Sequence, residues 1–143
     1  MTVIVAENDG FCVGVKKAVD TAFTVPAENT YVLGDLIHNE DVVKRISKRG
    51  IKKADDLSEV PDGARLLIRS HGVGKEVYDH CTRHHIDVVD CTCSFVKKTQ
   101  KIVASKSAEG KIIAIAGHRE HPEVIGLVGW CASEAYVFSS EED

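Results

Sequence analysis

The apolar residues of this chain occur in short runs that alternate with longer stretches of helical periodicity. Uninterrupted runs predict buried strands, because strands covered on both faces need no polar positions. The first helical stretch carries apolar residues at i, i+3, i+4, i+7 and i+8, starting from Val15, which predicts one buried helix face. The predicted strands cover 3–6, 31–33, 66–68, 87–89 and 112–116.

Each run is followed by a helical stretch, and this alternation is typical of parallel sheets joined by right-handed crossovers. We therefore predict an α/β fold with parallel sheets and flanking helices. Asn39 can cap the second helix and Gly50 can end it. Residues 1–93 are expected to form one complete small domain, and residues 94–143 an incomplete second domain of the same type. The last residues look like a strand that runs into a polar turn, as in a truncated protein.

The charge of the chain makes some functions improbable. Eighteen basic against 22 acidic residues give a net charge of −4, so there is no electrostatic case for nucleic-acid binding. No apolar run approaches the roughly 20 residues that span a bilayer, and the N-terminus has no secretion signal, so a cytoplasmic protein without a membrane partner is expected. Five cysteines in a reducing compartment indicate metal binding, chemistry or packing rather than disulfides.

Cysteine and histidine side chains recur on the loops that follow the predicted strands. The carboxyl ends of parallel strands meet at one edge of a sheet, so these loops should converge. Helix N-termini at that edge favour anions and thiolates, and histidines there would suit a phosphate-bearing ligand. The residues concerned are Cys12, His38, His71, Cys93 and His121.

The cysteines differ in their sequence context. Cys12 lies between Gly10 and Gly14, which allow close backbone approaches that a core thiol would not need, so a functional role is favoured over packing. Cys91 and Cys93 stand where a strand becomes a loop, and at most one of them is expected to bind metal. Packing roles are expected for Cys81 and Cys131.

Glu123 follows His121 by two residues at the start of a predicted helix. Two interpretations stay open: a favourable acid–dipole interaction, or a proton carrier in the cleft. The nearby stretch 72–75 is not a phosphate-binding P-loop, because Arg69 occupies the required upstream glycine position and Glu76 follows the lysine. A surface position is expected for His80, His84 and His85.

Five blocks occur together in one order: Gly10–Val15, Leu36–Asn39 with Val42–Val43, Arg69–Val73, Asp90–Cys93, and His121–Val124 with Gly126 and Gly129–Trp130. Together they resemble the 4-hydroxy-3-methylbut-2-enyl diphosphate reductases, the IspH/LytB family. The resemblance runs over the whole chain and covers roughly the N-terminal half of what the family normally has.

The resemblance implies an iron–sulfur reductase of three similar α/β domains around a central cluster. Such an enzyme uses two electrons and protons to remove the allylic hydroxyl of its substrate, giving isopentenyl and dimethylallyl diphosphate in the non-mevalonate pathway of isoprenoid biosynthesis. The electron donor would be a protein such as ferredoxin or flavodoxin. By the same resemblance Cys12 and Cys93 would be two of three thiolate ligands of a 4Fe-4S cluster, with one iron left open to the substrate. The diphosphate would be held by His38, His71 and His121, and protons would be relayed by Glu123.

Two departures from the family pattern lie at the second cysteine loop, where Cys91 replaces a usual Ala and Ser94 a usual Pro. The third cluster cysteine is absent from this chain, so the polypeptide alone is expected to be inactive. The alternative interpretation is a non-catalytic phosphate- or zinc-binding α/β module that uses Cys12, Cys93 and a histidine. A thiol redox protein is less favoured, because Cys12 lacks a Cys-x-x-Cys neighbour.

Overall fold

Four parallel strands form the first sheet in the computed structural model, which describes residues 2–4 and 10–140. A second sheet has two parallel strands. The strands are β1 (Thr30–Leu33), β2 (Lys52–Ala54), β3 (Arg65–Ile68), β4 (Asp87–Asp90), β5 (Ile113–Ala116) and β6 (Ala135–Phe138). The first sheet has the order β2-β1-β3-β4, and the second pairs β5 with β6.

Helices connect the strands, as the alternating pattern predicts. They are α1 (Val13–Thr24), α2 (Glu40–Lys48), α3 (Lys75–Arg83), α4 (Ser94–Ala108) and α5 (Pro122–Val128), with a short 3-10 helix at Leu57–Glu59. The Asn39 side chain caps α2 by accepting a hydrogen bond of 3.0 Å from the backbone N–H of Val42. Gly50 follows that helix with φ of +100°, a conformation that glycine adopts without strain. Both predicted ends of α2 are therefore confirmed.

Apolar side chains cover both faces of the first sheet. Leu67 faces a core beneath α1 and α2, whereas its neighbours Leu66 and Ile68 face a second core that includes Val77 and Cys81 of α3. The three strand residues are fully buried, with 0% of their surface exposed. Because a strand sends successive side chains to opposite faces, burial on both faces explains the continuous apolar run.

The second sheet has its own smaller core. Val103 of α4 and Leu127 of α5 pack with Ile115 of β5 and Val137 of β6. The predicted α/β class with parallel sheets and flanking helices is thus confirmed. The predicted division of the chain at residue 93 remains a prediction.

Two features of the sheet differ from the sequence prediction. Val3 and Ile4 lie in no strand and are 72% and 89% exposed, while the rest of that predicted strand, Val5 and Ala6, lies outside the described residues. An extended segment becomes a strand only when a neighbour pairs its backbone, and residues 2–4 have no such pairing. Conversely, β2 was not predicted, because its two lysines are exposed at the edge of the sheet and disguise the strand.

None of the helices in the described residues is long and apolar enough to cross a membrane. All five cysteines are free thiols.

Candidate functional site

Backbone hydrogen bonds join the loops at the carboxyl edge of the first sheet. The Ser70 N–H donates to the Leu36 carbonyl at 3.5 Å, and the Cys93 N–H donates to the Ser70 carbonyl at 2.9 Å. These bonds continue the strand order β1-β3-β4 beyond the ends of the strands. They bring the loops that carry His38, His71 and Cys93 side by side, as expected for parallel strands.

The three predicted phosphate-binding histidines form one cluster. The ring centroid of His71 lies 4.7 Å from that of His38 and 5.8 Å from that of His121. His71 is half-buried in the middle, whereas His38 and His121 are exposed. The cluster therefore offers two solvent-facing imidazoles on either side of a more enclosed one.

The His71 imidazole is neutral at pH 7. Burial, followed by the positive charges of His38, Arg69 and His121, lowers its pKa to about 4. Its Nδ1 atom is enclosed and has no hydrogen-bond partner among the described residues. Buried polar atoms are normally paired, so this nitrogen is available to a ligand.

His121 is both a member of the cluster and the N-cap of α5. Its Nδ1 accepts a hydrogen bond of 3.2 Å from the backbone N–H of Glu123, which assigns the proton of the neutral ring to Nε2. Pro122 occupies the first position of this helix and fixes its start. Glu123 is half-buried in the first turn, next to the histidine that it positions.

The carbonyl of Val73 fixes α5 against the His71 loop. It accepts hydrogen bonds from Trp130 Nε1 at 2.9 Å and from Gln100 Nε2 at 3.3 Å. A Cβ at Gly126 would lie 3.6 Å from the Val73 backbone, which is an ordinary contact distance. Since Val73 is two residues after His71, this contact sets the relative position of His71 and the helix that begins at His121.

The two predicted metal-binding cysteines occupy equivalent positions. Cys12 is the N-cap of α1 and Cys93 the N-cap of α4, and neither side chain makes a capping hydrogen bond. The Cys93 thiol lies against α1, so that a Cβ built on Gly14 would meet its Sγ at 2.7 Å. Two thiols that make no capping hydrogen bond thus lie near the start of α1, where backbone N–H groups favour a thiolate.

The other cysteines are less suited to metal binding. Cys91 is 1% exposed and packs in the core beneath α1 and α2, and burial raises the pKa of its thiol. Burial also raises the pKa of Cys81, which packs against β3, and of Cys131. Of the pair at residues 91 and 93, the structure places Cys93 at the helix start and Cys91 in the core.

Asp90 holds the loop between these two cysteines. Its carboxylate accepts hydrogen bonds from the Thr92 N–H at 2.9 Å and the Tyr78 hydroxyl at 3.0 Å, and Lys97 pairs with it at 2.7 Å. Burial acts to raise the pKa of Asp90, but the contacts with Lys97 and Thr92 outweigh it and the pKa is lowered. Burial, then the Asp90 charge, raises the pKa of Tyr78 to about 12.

The donors fit part of an iron–sulfur site. Thiolates are the ligands that such clusters use, and Cys12 and Cys93 supply two. Residues 2–4 and 10–140 hold no group of three or more His, Cys, Asp or Glu side chains that could bind a metal ion by themselves. Cys12 and Cys93 are by themselves fewer than the cysteine ligands that a four-iron cluster uses.

Sequence reasoning assigned no role to Gln100, Asp90 or Arg69. Gln100 is 4% exposed on an amphipathic helix, and nothing in its spacing distinguishes it from a surface residue. The sequence did contain an indication of a role for Arg69. This residue directly follows the buried run 66–68, so it stands at the carboxyl end of a strand, where ligands bind in parallel sheets.

Known proteins resemble this chain over its whole described length. The LytB protein family model matches residues 3–143. A 4-hydroxy-3-methylbut-2-enyl diphosphate reductase of Alkaliphilus oremlandii is 46% identical over 147 residues, which covers 100% of this chain and 52% of that protein. The enzyme of the same name from Geobacter sp. (strain M21) is 45% identical over 145 residues, covering 100% and 51%.

Solved structures of reductases also resemble this chain. A structure of (E)-4-hydroxy-3-methyl-but-2-enyl diphosphate reductase, the terminal enzyme of the non-mevalonate pathway, matches 98% of this chain and 52% of its own at a TM-score of 0.81 and 34% identity. The E-1-hydroxy-2-methyl-but-2-enyl-4-diphosphate reductase of Plasmodium falciparum matches 95% and 44% at a TM-score of 0.86 and 29% identity. The chain spans about half the length of the curated relatives it matches.

Proposed function

Because this chain belongs to the LytB family, we propose that it forms part of an oxidoreductase that reduces 4-hydroxy-3-methylbut-2-enyl diphosphate in the cytoplasm. The carbon–oxygen bond of the allylic hydroxyl breaks, two electrons and two protons are taken up, and the hydroxyl leaves as water. The products are isopentenyl and dimethylallyl diphosphate.

In this proposal Cys12 and Cys93 would be two of the thiolate ligands of a 4Fe-4S cluster. The support is their position, because both are uncapped N-cap residues and the Cys93 thiol lies against the first turn of α1. The partial positive charge of a helix N-terminus stabilises the thiolate form that binds iron. When bound, the cluster supplies the two electrons, which it receives from a donor such as ferredoxin or flavodoxin.

The diphosphate is held by His38, His71 and His121. The observation that carries the proposal is that the His71 ring lies 4.7 Å from the His38 ring and 5.8 Å from the His121 ring. His121 Nε2–H and the unpartnered Nδ1 of His71 are suitable hydrogen-bond donors to phosphate oxygens. Cys93 is joined to the residue before His71 by a backbone hydrogen bond, so the thiol and the anion site keep a fixed spacing.

Glu123 delivers protons to the departing hydroxyl. Its backbone orients His121, and its half-buried carboxyl group stands at the same helix start as the histidine cluster. A carboxyl group placed this way can carry a proton from solvent to the hydroxyl group of the substrate. The remaining cluster ligand and part of the diphosphate contacts belong to the portion of the relatives' length that this chain does not span.

The test is an anaerobic assay of the protein as its gene encodes it. We expect iron and acid-labile sulfide in equal amounts, and conversion of the allylic diphosphate to the two five-carbon diphosphates with a strong artificial reductant. The variant Glu123→Gln should lower kcat about 100-fold with little change in KM, whereas Glu120→Gln, an exposed acid of the same loop, should not.

Two results would contradict this function. Stoichiometric zinc without sulfide would favour the non-catalytic zinc-binding module. If the protein contained iron and sulfide in full amounts but did not reduce the allylic diphosphate, the proposed cofactor would be supported and the proposed substrate would be wrong. Residues 1–143 alone, treated in the same way, are expected to be inactive.

A further inference from the structure

Arg69 lies where the loops of the histidine cluster meet. It directly follows β3, two residues before His71, and it is half-buried. Its Nη1 atom reaches the loop after β1, where a Cβ built on Gly34 would lie 3.0 Å away. That loop leads to His38, so the guanidinium lies between the segments that carry two of the three histidines.

The guanidinium has no anionic partner in the described part of the chain. Its Nε is enclosed and unpaired, and no carboxylate lies within ion-pair distance of Arg69 in residues 10–140. The negative charge of Asp35 acts to raise the pKa of Arg69, but the Asp35 carboxylate forms its ion pair with Lys53, at 3.1 Å. Burial lowers the pKa of Arg69, yet arginine remains charged in proteins. A half-buried cation without a counter-ion is unfavourable unless an anion arrives.

The central histidine of the cluster does not supply a fixed positive charge at this point. His71 is neutral at pH 7, since its pKa is about 4. Arg69 lies two residues before His71, and its charge is one of the contributions that lower the pKa of that imidazole. A diphosphate carries more than one negative charge, which the neutral His71 imidazole can hydrogen-bond but not neutralise.

We propose that Arg69 is a further anion-binding residue of this site, contacting the diphosphate through its guanidinium and supplying the permanent positive charge beside His71. This inference rests on the proposed function, because it adds a contact to the same diphosphate. It also accounts for two buried nitrogens on one short loop, Arg69 Nε and His71 Nδ1, that have no hydrogen-bond partner within residues 2–4 and 10–140. Arginine suits the task, since its planar group can donate two parallel hydrogen bonds to phosphate oxygens.

The experiment uses the protein as its gene encodes it, with inorganic pyrophosphate as the probe in isothermal titration calorimetry. Arg69→Met removes the charge, and Arg69→Lys keeps it without the fork of donors. Arg65→Met is the matched control, because Arg65 lies at the other end of the same strand and pairs with Asp87 at 2.9 Å. We expect Arg69→Met to weaken pyrophosphate binding at least about tenfold, Arg69→Lys less, and Arg65→Met not at all.

Steady-state kinetics and thermal unfolding complete the test. Arg69→Met should raise KM for the allylic diphosphate about tenfold while kcat falls less than threefold, and Tm should not fall, because an unpaired charge is removed. An active wild type whose Arg69→Met variant keeps both pyrophosphate affinity and KM would overturn the inference and leave the proposed function standing. A wild type that neither binds pyrophosphate nor reduces the substrate would reject both. A variant that fails to fold would also count against the inference, since it would show that Arg69 stabilises the fold.

Discussion

The thiol of Cys93 lies so close to Gly14 that a Cβ at residue 14 would meet its Sγ at 2.7 Å. Real Cβ atoms do not approach sulfur this closely, so only glycine at residue 14 leaves the thiol where it is. The need for glycine at residue 14, two positions after Cys12, is thus explained by Cys93, which lies at the start of a different helix.

Gly14→Ala should therefore disturb the proposed metal site. The added methyl group displaces the Cys93 thiol, and we expect the affinity for iron to fall about tenfold or more, measured as iron and sulfide content after anaerobic reconstitution. Gly126→Ala is the control, because it is also a helical glycine but its Cβ would have 3.6 Å of room. That control should bind iron normally and gain up to about 1 kcal/mol of stability. Equal iron contents in the two variants would refute this role of Gly14.

The two neighbouring cysteines should respond differently to substitution. Cys93→Ala is expected to abolish iron loading, because it removes a thiol that stands free at a helix N-terminus. Cys91→Ala should keep its iron and lose about 1 kcal/mol of stability, since Cys91 is a buried packing residue. Iron analysis and urea unfolding of both variants check this, and loss of iron from Cys91→Ala would be the contrary result.

The buried histidine should make the fold sensitive to acid. His71 has a pKa of about 4 when folded against an ordinary value of 6.5, so between these pH values the unfolded chain binds a proton that the folded chain does not. Stability is therefore full above pH 6.5 and falls as the pH approaches 4. Because His71 is partly exposed, we expect the free energy of unfolding to fall by about 1 to 2 kcal/mol over this pH range.

Urea unfolding at pH 7.5 and pH 5 measures this difference. His71→Asn should reduce the loss, whereas His85→Asn should leave it unchanged, because His85 is exposed and its φ of +54° is one that asparagine tolerates. An unchanged loss in His71→Asn would assign the acid sensitivity to another group.

The shared acceptor at Val73 predicts a non-additive pair. Trp130→Phe or Gln100→Met leaves the carbonyl with one donor and should cost about 1 kcal/mol each, whereas the double variant leaves a buried carbonyl unpaired. We expect the double variant to lose about 1 kcal/mol more than the sum. Trp130→Phe combined with Arg49→Met, whose arginine ties α1 to α2 elsewhere, should be additive. If the stability losses were additive in both pairs, Trp130 and Gln100 would not be acting together on the Val73 carbonyl.

Much of this molecule could be predicted from local pattern. The alternation of apolar runs with helical stripes predicts the α/β class, because burial on both faces of a parallel sheet removes polar positions from strands such as 66–68. Asn39 and Gly50 predict the limits of α2, because capping and positive φ are properties of a few residues. The strand proposed at residues 3–6 and the missed strand β2 mark the limit of such reasoning, since pairing depends on a neighbour.

The candidate site shows the same division. The sequence by itself determined which loops carry cysteine and histidine, and parallel topology then required that loops such as those of His38 and His71 converge. Only the tertiary structure decided that Cys93 faces α1 while Cys91 enters the core, and that Arg69 Nε is buried without a hydrogen-bond partner among the described residues. Contact, burial and charge pairing depend on residues far apart in the chain, and no local pattern encodes their distances.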